Sequence, residues 1–267
     1  MKKKLLVLDI DGTLVNSKKV ITPKTLEALL KVQEQGHMIA LASGRPYPGL
    51  KPFVKQLKLE EYGGYALSFN GGKVVSCATG ESVYEETVPN RYAKIIYDYA
   101  IEHGLGLVTY DSQNVITGTE IDHYMEYEAK LNGMELVKVD DFVSYVDFDM
   151  TKCLLTAEPL HAAACELEMR KLLAPKLNVF RSEPYFIEIT NCNVDKAKSI
   201  AGLLEIIGMK QEDTVCCGDG FNDLSMVSYG GIGVAMGNAQ EIVKQNADFI
   251  TGSCDEDGLV TVIEKFF

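Results

Sequence analysis

Two aspartates follow the first apolar run of the chain, at a spacing that suits work on a phosphate ester. Leu5–Leu8 leads directly into Asp9-Ile10-Asp11-Gly12-Thr13. Because side chains alternate along an extended backbone, Asp9 and Asp11 can face the same opening while Ile10 points into the protein. One carboxylate could attack phosphorus and ligate a metal. The other could donate a proton to the leaving oxygen and later accept one from water.

Further polar groups follow other apolar runs. Ser43-Gly44-Arg45 comes after Met38–Ala42, Gly218-Asp219-Gly220-Phe221-Asn222-Asp223 comes after Thr214–Cys217, and Lys196 opens a helical segment. Ligands of open parallel sheets bind outside the carboxyl ends of the strands, so these groups should converge on one edge.

Each group answers a need of phosphoryl transfer, which consists mainly of positioning and of stabilising charge on the phosphate oxygens. The Ser43 hydroxyl and the Gly44 amide would hold phosphate, and Lys196 would supply a positive charge. Asp219 would add a hard oxygen ligand for Mg²⁺. The segments match neither a Ca²⁺-binding loop nor a Walker A motif.

The elements that must position these residues alternate between strand and helix at both ends of the chain. A βαβ unit occupies the start, and the turn Asn70-Gly71-Gly72 predicts a hairpin. From Val83 to Thr190 the pattern changes to an α+β block with helices predicted at Pro89–His103, Thr119–Asn132 and Pro159–Leu173. The fold class is therefore α/β, a doubly wound, mostly parallel, Rossmann-like sheet with an inserted α+β cap domain. The predicted domains are 1–82 (core, first part), 83–190 (cap, which determines substrate specificity) and 191–267 (core, second part).

Bulk properties limit the class of protein and its partners. The 267 residues are 46% hydrophobic, enough for substantial cores, and no apolar run approaches the ~20 residues of a membrane-spanning helix. The three lysines at the start precede no signal-peptide core, so a cytoplasmic location is expected. The net charge of −12 argues against nucleic acid. The seven cysteines lack metal-ligand spacing, and the four histidines are expected to be surface or capping groups.

These motifs, in this order, resemble the haloacid dehalogenase superfamily, and specifically its Cof-type sugar-phosphate phosphatases. The resemblance covers the whole chain. Its four motifs are Asp9-Ile10-Asp11-Gly12-Thr13-Leu14, Ser43-Gly44-Arg45, Lys196, and Gly218-Asp219-Gly220-Phe221-Asn222-Asp223. Asn70-Gly71-Gly72 and the segment 233–239 are also similar to Cof-type sequences. Lys196-Ala197 departs from the usual Lys-Gly.

The resemblance implies a role for each matched residue. Asp9 would be the nucleophile and Asp11 the general acid/base, and the Mg²⁺ cofactor would be bound by Asp9, the Asp11 carbonyl and Asp219. Asp223 would support the metal. Arg45 would either support the site or simply pair with a nearby carboxylate. The substrate phosphate would contact Ile10, Ser43, Gly44, Lys196 and Asn222.

The predicted function is hydrolysis of a small phosphorylated metabolite, such as a sugar phosphate, through an aspartyl-phosphate on Asp9. Two alternatives remain open at this point: a phosphohexose mutase on the same scaffold, and a non-catalytic sensor of phosphorylated metabolites. The mutase would isomerise glucose 1-phosphate, whereas the phosphatase would release free phosphate. The expected partner is the metabolite alone, with no nucleic acid or membrane, and the expected state is a monomer or weak homo-oligomer.

Overall fold

A computed structural model describes residues 2–267. Within them the strands are β1 (Leu5–Leu8), β2 (Met38–Ala42), β3 (Tyr65–Ser68), β4 (Lys73–Ser76), β5 (Ser82–Glu85), β6 (Gly106–Tyr110), β7 (Asn114–Thr117), β8 (Glu135–Lys138), β9 (Cys153–Thr156), β10 (Leu177–Glu183), β11 (Phe186–Asn191), β12 (Thr214–Gly218), β13 (Ile232–Ala235) and β14 (Phe249–Ile250). The α-helices are α1 (Pro23–Glu34), α2 (Tyr47–Gln56), α3 (Leu59–Tyr62), α4 (Ala93–Glu102), α5 (His123–Asn132), α6 (Phe142–Tyr145), α7 (Pro159–Leu173), α8 (Lys196–Ile207), α9 (Leu224–Tyr229), α10 (Glu241–Gln245) and α11 (Gly258–Phe266).

The chain divides into two compact units. The first runs to Tyr84 and resumes at Asp195–Phe267, and the second is Glu85–Val194. These divisions differ slightly from the expected ones at residues 82 and 190. The second unit ends later than expected because β11 extends to Asn191, and the chain leaves the second sheet only after this strand.

The first unit contains a sheet with the order β14-β13-β12-β1-β2-β3-β4-β5. The six strands from β14 to β3 are parallel, and β4 returns antiparallel to β3. The strand order reverses at β1, which lies between β2 and β12. This reversal is the topological switch point at which α/β sheets bind ligands.

Both faces of this sheet are covered, which explains why β1 is apolar at every position. Leu6 and Leu8 pack into a core on the side of α1 and α11, whereas Leu5 and Val7 pack into a second core with Ile200 of α8. Alternating burial on two sides is typical of parallel strands between helices. The prediction of a doubly wound α/β core with an inserted α+β segment is confirmed.

The second unit has its own sheet and its own core. Its strand order is β10-β11-β9-β6-β7-β8, antiparallel except for the parallel pair β7 and β8. Leu107, Leu155 and Ile187 of three neighbouring strands contribute to a core that includes residues of α4 and α7. The helix predicted from Thr119 begins only at His123, because the Asp122 carboxylate caps it by accepting from the backbone N–H groups of Tyr124 and Met125.

No described helix combines the length and apolar character needed to cross a membrane. All seven cysteines lie among the described residues and are free thiols.

His37 overturns the expectation that the histidines are surface or capping groups. It is buried just before β2, and its Nδ1 accepts a hydrogen bond from the Lys4 backbone N–H at 3.1 Å. Its Nε2 has no hydrogen-bond partner within residues 2–267, and its ring meets that of Phe267 edge-on at 5.0 Å. Burial lowers the pKa of His37, and the charge of Lys4 lowers it further.

This depressed pKa makes stability depend on pH. The unfolded chain binds a proton at His37 near the ordinary pKa of 6.5, whereas the folded protein binds it less readily. The stabilising contribution is therefore complete above about pH 6.5 and is lost as the pH falls below it. We expect the unfolding free energy of the wild type to fall more steeply than that of His37→Asn between pH 7.5 and 5.5, because the Asn amide can accept from Lys4 but does not titrate. Urea denaturation at each pH measures both curves, and parallel curves would contradict the assignment.

Candidate active site

The ammonium group of Lys196 lies at the centre of the polar residues around the switch point. Lys196 is the first residue of α8 and is only 1% exposed. Its Nζ donates to Asp9 Oδ1 at 2.7 Å, to the Ala42 carbonyl oxygen at 2.8 Å and to Asp223 Oδ1 at 2.6 Å. These acceptors follow or end β1, β2 and β12, so one cation joins the carboxyl ends of three strands. All three ammonium hydrogens have a partner.

Asp223 links the Lys196 ammonium group to the backbone of the loop after β12. Its Oδ2 accepts from the backbone N–H groups of Asp219 at 3.0 Å and Gly220 at 2.9 Å. The side chain packs so tightly against Gly218 that a Cβ there would lie 2.4 Å from that of Asp223. This close approach requires glycine at position 218. Asp223 therefore holds the backbone of the loop that carries Asp219.

The charges at this centre shift one another's protonation. Burial raises the pKa of Asp9, and the charge of Asp223 raises it further against the opposing effect of Lys196. Burial disfavours the charged form of Lys196, but the carboxylates of Asp9 and Asp223 hold its pKa above the ordinary value. Burial, followed by the charge of Asp223, raises the pKa of Asp219 to about 6. A cation that binds Asp219 near this pH must compete with a proton.

Three of these carboxylates could hold a divalent cation. Ligand oxygens of Asp9, Asp219 and Asp223 all lie within 4.8 Å of one another. Gly12 approaches Asp219 with φ of 88°, and a Cβ at this position would lie 2.4 Å from Asp219 Oδ2. Thr13 Oγ1 donates to the other oxygen, Oδ1, at 3.0 Å. Hard carboxylate oxygens suit Mg²⁺, which usually takes only one or two carboxylates and completes its shell with water and phosphate, so two of the three would suffice.

Asp11 belongs to a separate ion cluster. The Arg45 guanidinium donates hydrogen bonds to both oxygens of the Asp11 carboxylate. Nη2 lies 2.8 Å from Oδ2 and 3.0 Å from Oδ1, and Nε lies 3.1 Å from Oδ2. Lys19 Nζ donates to Oδ1 at 2.8 Å. Burial opposes ionisation of Asp11, but the hydrogen bond from Lys19 and the charge of Arg45 hold its pKa below the ordinary value. In this arrangement Asp11 is an ionised acceptor.

Lys19 lies in the loop before α1, which places its ammonium group beside Asp11. The Asn16 side-chain oxygen accepts from the backbone N–H groups of Lys18 and Val20, and Lys19 adopts a left-handed φ of 60° between them. A lysine is uncommon in this backbone region, and the turn holds it there.

The residues predicted to bind phosphate lie around this edge. Ser43 is buried directly after β2, where its Oγ accepts from the Arg45 backbone N–H at 3.3 Å. Ile10 places its side chain in the core, as the spacing predicted. Asn222 is exposed and donates through Nδ2 to Asn70 Oδ1 at 3.2 Å.

The structure therefore gathers the predicted residues around two centres. Asp9 and Asp223 contact Lys196 directly and Asp219 places a ligand oxygen within 4.8 Å of theirs, whereas Asp11 and Arg45 form the second cluster. Sequence reasoning did not include Lys19, whose loop carries no motif that we could interpret. It also left out Asn238, whose Nδ2 donates to the Gly12 carbonyl oxygen at 2.8 Å, although this residue stands in a segment noted as similar to a family.

Comparisons with known proteins agree on one family. Residues 6–263 match the haloacid dehalogenase-like hydrolases. A haloacid dehalogenase-like hydrolase from Bacteroides thetaiotaomicron has a crystal structure similar to this chain, with 44% identity, full coverage of both chains and a TM-score of 0.94. The subclass IIB sugar phosphatase BT4131 is 26% identical, with 99% of each chain covered and a TM-score of 0.79. The Bacillus subtilis protein YcsE, a 5-amino-6-(5-phospho-D-ribitylamino)uracil phosphatase, is 26% identical over 98% of this chain and 95% of its own.

The Lys196 network predicts a large change in stability for Lys196→Met. This substitution keeps an apolar stem but leaves Asp9 and Asp223 buried without their cation, which should lower the unfolding free energy by about 3–5 kcal/mol. The loss should be larger at pH 8 than at pH 5, because protonation removes the unpaired charge. Lys31→Met, which removes an exposed ion pair with Glu27, is the matched control and should change little. A loss below about 1 kcal/mol in denaturant unfolding would show that the strand ends do not depend on this cation.

Proposed function

Because this chain belongs to the haloacid dehalogenase-like hydrolase family, we propose that it is a Mg²⁺-dependent phosphatase of small phosphorylated metabolites and that it forms an aspartyl-phosphate on Asp9. The observation that carries the proposal is the environment of Asp9. Its carboxylate lies at the switch point of the sheet, is 6% exposed and shares the Lys196 ammonium with Asp223. Titratable groups whose pKa is perturbed by burial and by specific charged neighbours cluster at functional sites, and Asp9 is such a group.

In the first step, a carboxylate oxygen of Asp9 attacks the phosphorus atom of the bound ester. The new bond joins Asp9 to phosphorus, and the bond between phosphorus and the ester oxygen breaks. The leaving oxygen takes a proton from Asp11. Lys196 keeps the nucleophile oriented and offsets negative charge as it develops, and Ser43, Gly44, Asn222 and the Ile10 amide hold the phosphate oxygens.

In the second step, water attacks the phosphorus atom of the aspartyl-phosphate. Asp11 accepts a proton from that water, the bond from phosphorus to Asp9 breaks, and phosphate leaves. The ion cluster around Asp11 matches this half of the reaction, because a carboxylate paired with Arg45 and Lys19 is a proton acceptor. To donate in the first half, Asp11 must carry a proton and loosen these ion pairs.

Asp9, Asp219 and the Asp11 carbonyl would hold the Mg²⁺, with Asp223 supporting them through its bonds to the Asp219 and Gly220 amides. The fit is supported by the clustered carboxylates and by the Thr13 and Gly12 contacts that fix Asp219. When bound, the cation would neutralise the repulsion between an anionic nucleophile and an anionic phosphate.

We assign the choice among substrates to the second unit, since none of the residues with a proposed chemical role lies in Glu85–Val194. Two relatives support the proposed substrate class: one is a sugar phosphatase and another is a phosphatase of a phosphorylated ribitylamino-uracil, and both kinds of substrate are small phosphomonoesters. A panel of such esters assayed with Mg²⁺ tests the class and measures selectivity. Conversion of glucose 1-phosphate to an isomer would indicate the mutase, and an absence of turnover on the whole panel would indicate the sensor.

Asp9→Asn tests the nucleophile. The amide keeps the shape and an acceptor oxygen for Lys196 but is neither anionic nor a good nucleophile, so phosphate release should fall at least about 100-fold, or ~2.7 kcal/mol, while circular dichroism stays unchanged. Asp98→Asn, at an exposed aspartate paired with Lys94, controls for the amide substitution. Activity above about a tenth of the wild type in a folded variant would remove Asp9 from the mechanism.

Asp11→Ala separates the two carboxylates, because it leaves the nucleophile in place and removes the proton donor. Loss of general acid catalysis typically costs about 10²–10⁴-fold. Sugar phosphates, whose leaving groups need a proton, should lose this factor, whereas aryl phosphates with acidic leaving groups should lose at least about tenfold less. Both kcat/KM values are measured at saturating Mg²⁺, which excludes weakened metal binding as the cause. Equal losses on the two substrates would count against Asp11 as the acid.

A further inference from the structure

The turn between β3 and β4 has an unusual backbone. Phe69, Asn70 and Gly71 follow one another with φ of 52°, 55° and 96°. The left-handed region suits glycine and is tolerated by asparagine, but a phenylalanine there is a conformational outlier. Such outliers persist where surrounding contacts enforce them, and they cluster at functional sites.

On one side, the turn is bonded to the loop after β2. The backbone N–H of Phe69 donates to the Arg45 carbonyl oxygen at 3.1 Å, and that of Asn70 donates to the Ser43 carbonyl oxygen at 2.9 Å. The left-handed residues thus turn two consecutive amides toward the segment that carries Ser43 and Gly44. Their conformation is explained by this attachment.

On another side, the turn lies against the first turn of α8. A Cβ on Gly71 would be 2.4 Å from Ser199 Oγ and 2.8 Å from the Asp195 carbonyl oxygen. Asp195 caps α8 and immediately precedes Lys196. The backbone of the turn therefore fills the space beside the residue that anchors Asp9.

The Asn70 side chain completes these contacts. Its Oδ1 accepts from Asn222 Nδ2 at 3.2 Å, and its Nδ2 lies 3.2 Å from the position that a Cβ of Gly44 would occupy. One amide group therefore spans from the loop after β2 to the loop after β12. Asn222 Nδ2 carries two hydrogens, and the one bonded to Asn70 fixes the plane in which the other can be donated to a substrate oxygen.

We propose that Asn70 is a positioning residue of the phosphate site, which orients the Asn222 amide and sets its separation from the Gly44 backbone. This inference rests on the proposed function, in which Gly44 and Asn222 bind the substrate phosphate. The turn supports the amide, because Asn70 donates its N–H to Ser43 and contacts Asn222 with its side chain while its backbone is left-handed.

The test separates the amide from the backbone. Asn70→Gly keeps a residue suited to φ of 55° and removes the amide, whereas Asn70→Ala removes the amide and also strains the backbone. For Asn70→Gly we expect KM for para-nitrophenyl phosphate and the inhibition constant of inorganic phosphate to rise at least about fivefold, with kcat changed far less. Its melting temperature should stay near that of the wild type. Asn70→Ala should show the same rise in KM and a lower melting temperature.

Two further variants make the result specific. Lys58→Gly introduces glycine at another left-handed residue, exposed before α3, and should leave KM unchanged. If Asn70 acts through Asn222, the double variant Asn70→Gly/Asn222→Ala should have the KM of Asn222→Ala alone rather than the product of the two effects. Multiplied effects would overturn the assignment of Asn70 as the support of Asn222.

The outcomes for Asn70 and for the proposed function can be told apart. An unchanged KM in Asn70→Gly, with only Asn70→Ala impaired, would overturn the inference and leave a purely structural turn. If the wild type hydrolysed no phosphate ester, the proposed function would fail, and calorimetric titration with inorganic phosphate would then decide about Asn70. A fivefold weaker affinity in Asn70→Gly would support the positioning role. Equal affinity, or no binding by the wild type, would overturn it.

Discussion

The buried ammonium group of Lys196 is the interaction on which the site depends. A charged group removed from water is costly unless it is fully paired and hydrogen-bonded, and Lys196 meets this condition with two carboxylates and one carbonyl oxygen. Without this cation, the carboxylates of Asp9 and Asp223 would be buried with no compensating charge, which is strongly destabilising. The ends of β1, β2 and β12 are therefore held in one geometry, and the Asp223 bonds extend that geometry to the loop of Asp219.

Two carboxylates only two residues apart consequently have opposite environments. Asp9 lies deep in the switch point, where burial raises its pKa, whereas Asp11 lies nearer to solvent and is paired with Arg45 and Lys19, which lower its pKa. The chain turns directly after β1, and the Ile10 side chain between the two aspartates anchors this turn in the core. The opposite shifts of the two pKa values therefore come from the neighbours of each carboxylate rather than from their separation in sequence.

Much of the fold and of the site could be predicted from the sequence because a topological rule connects them. Asp9, Ser43 and Asp219 each follow a buried parallel strand, and the rule places such residues at one edge. The contacts that the prediction lacked depend on packing rather than on pattern. The bond from Asn70 to Asn222 joins residues 152 positions apart, Lys19 reaches Asp11 from an irregular loop, and His37 is buried by the C-terminal Phe267. The strand β7 was not predicted either, and it is defined by its pairing with β6 on one side and β8 on the other.

One of the two neighbours of the central strand β1, the strand β12, is synthesised late. Leu5 pairs with Thr214 and Leu8 with Cys217, so the first strand to leave the ribosome waits for nearly the whole chain before one of its edges is covered. At typical rates of translation this interval is on the order of ten to forty seconds. For almost all of this interval Lys196 has not been synthesised, so Asp9 lacks its cation and an apolar strand edge stays open. The strands β6 to β11 pair only with one another, so their sheet can form before β12 exists. The polar cluster around Lys196 is thus completed late in synthesis, after the sheet of the inserted segment already has all its strands.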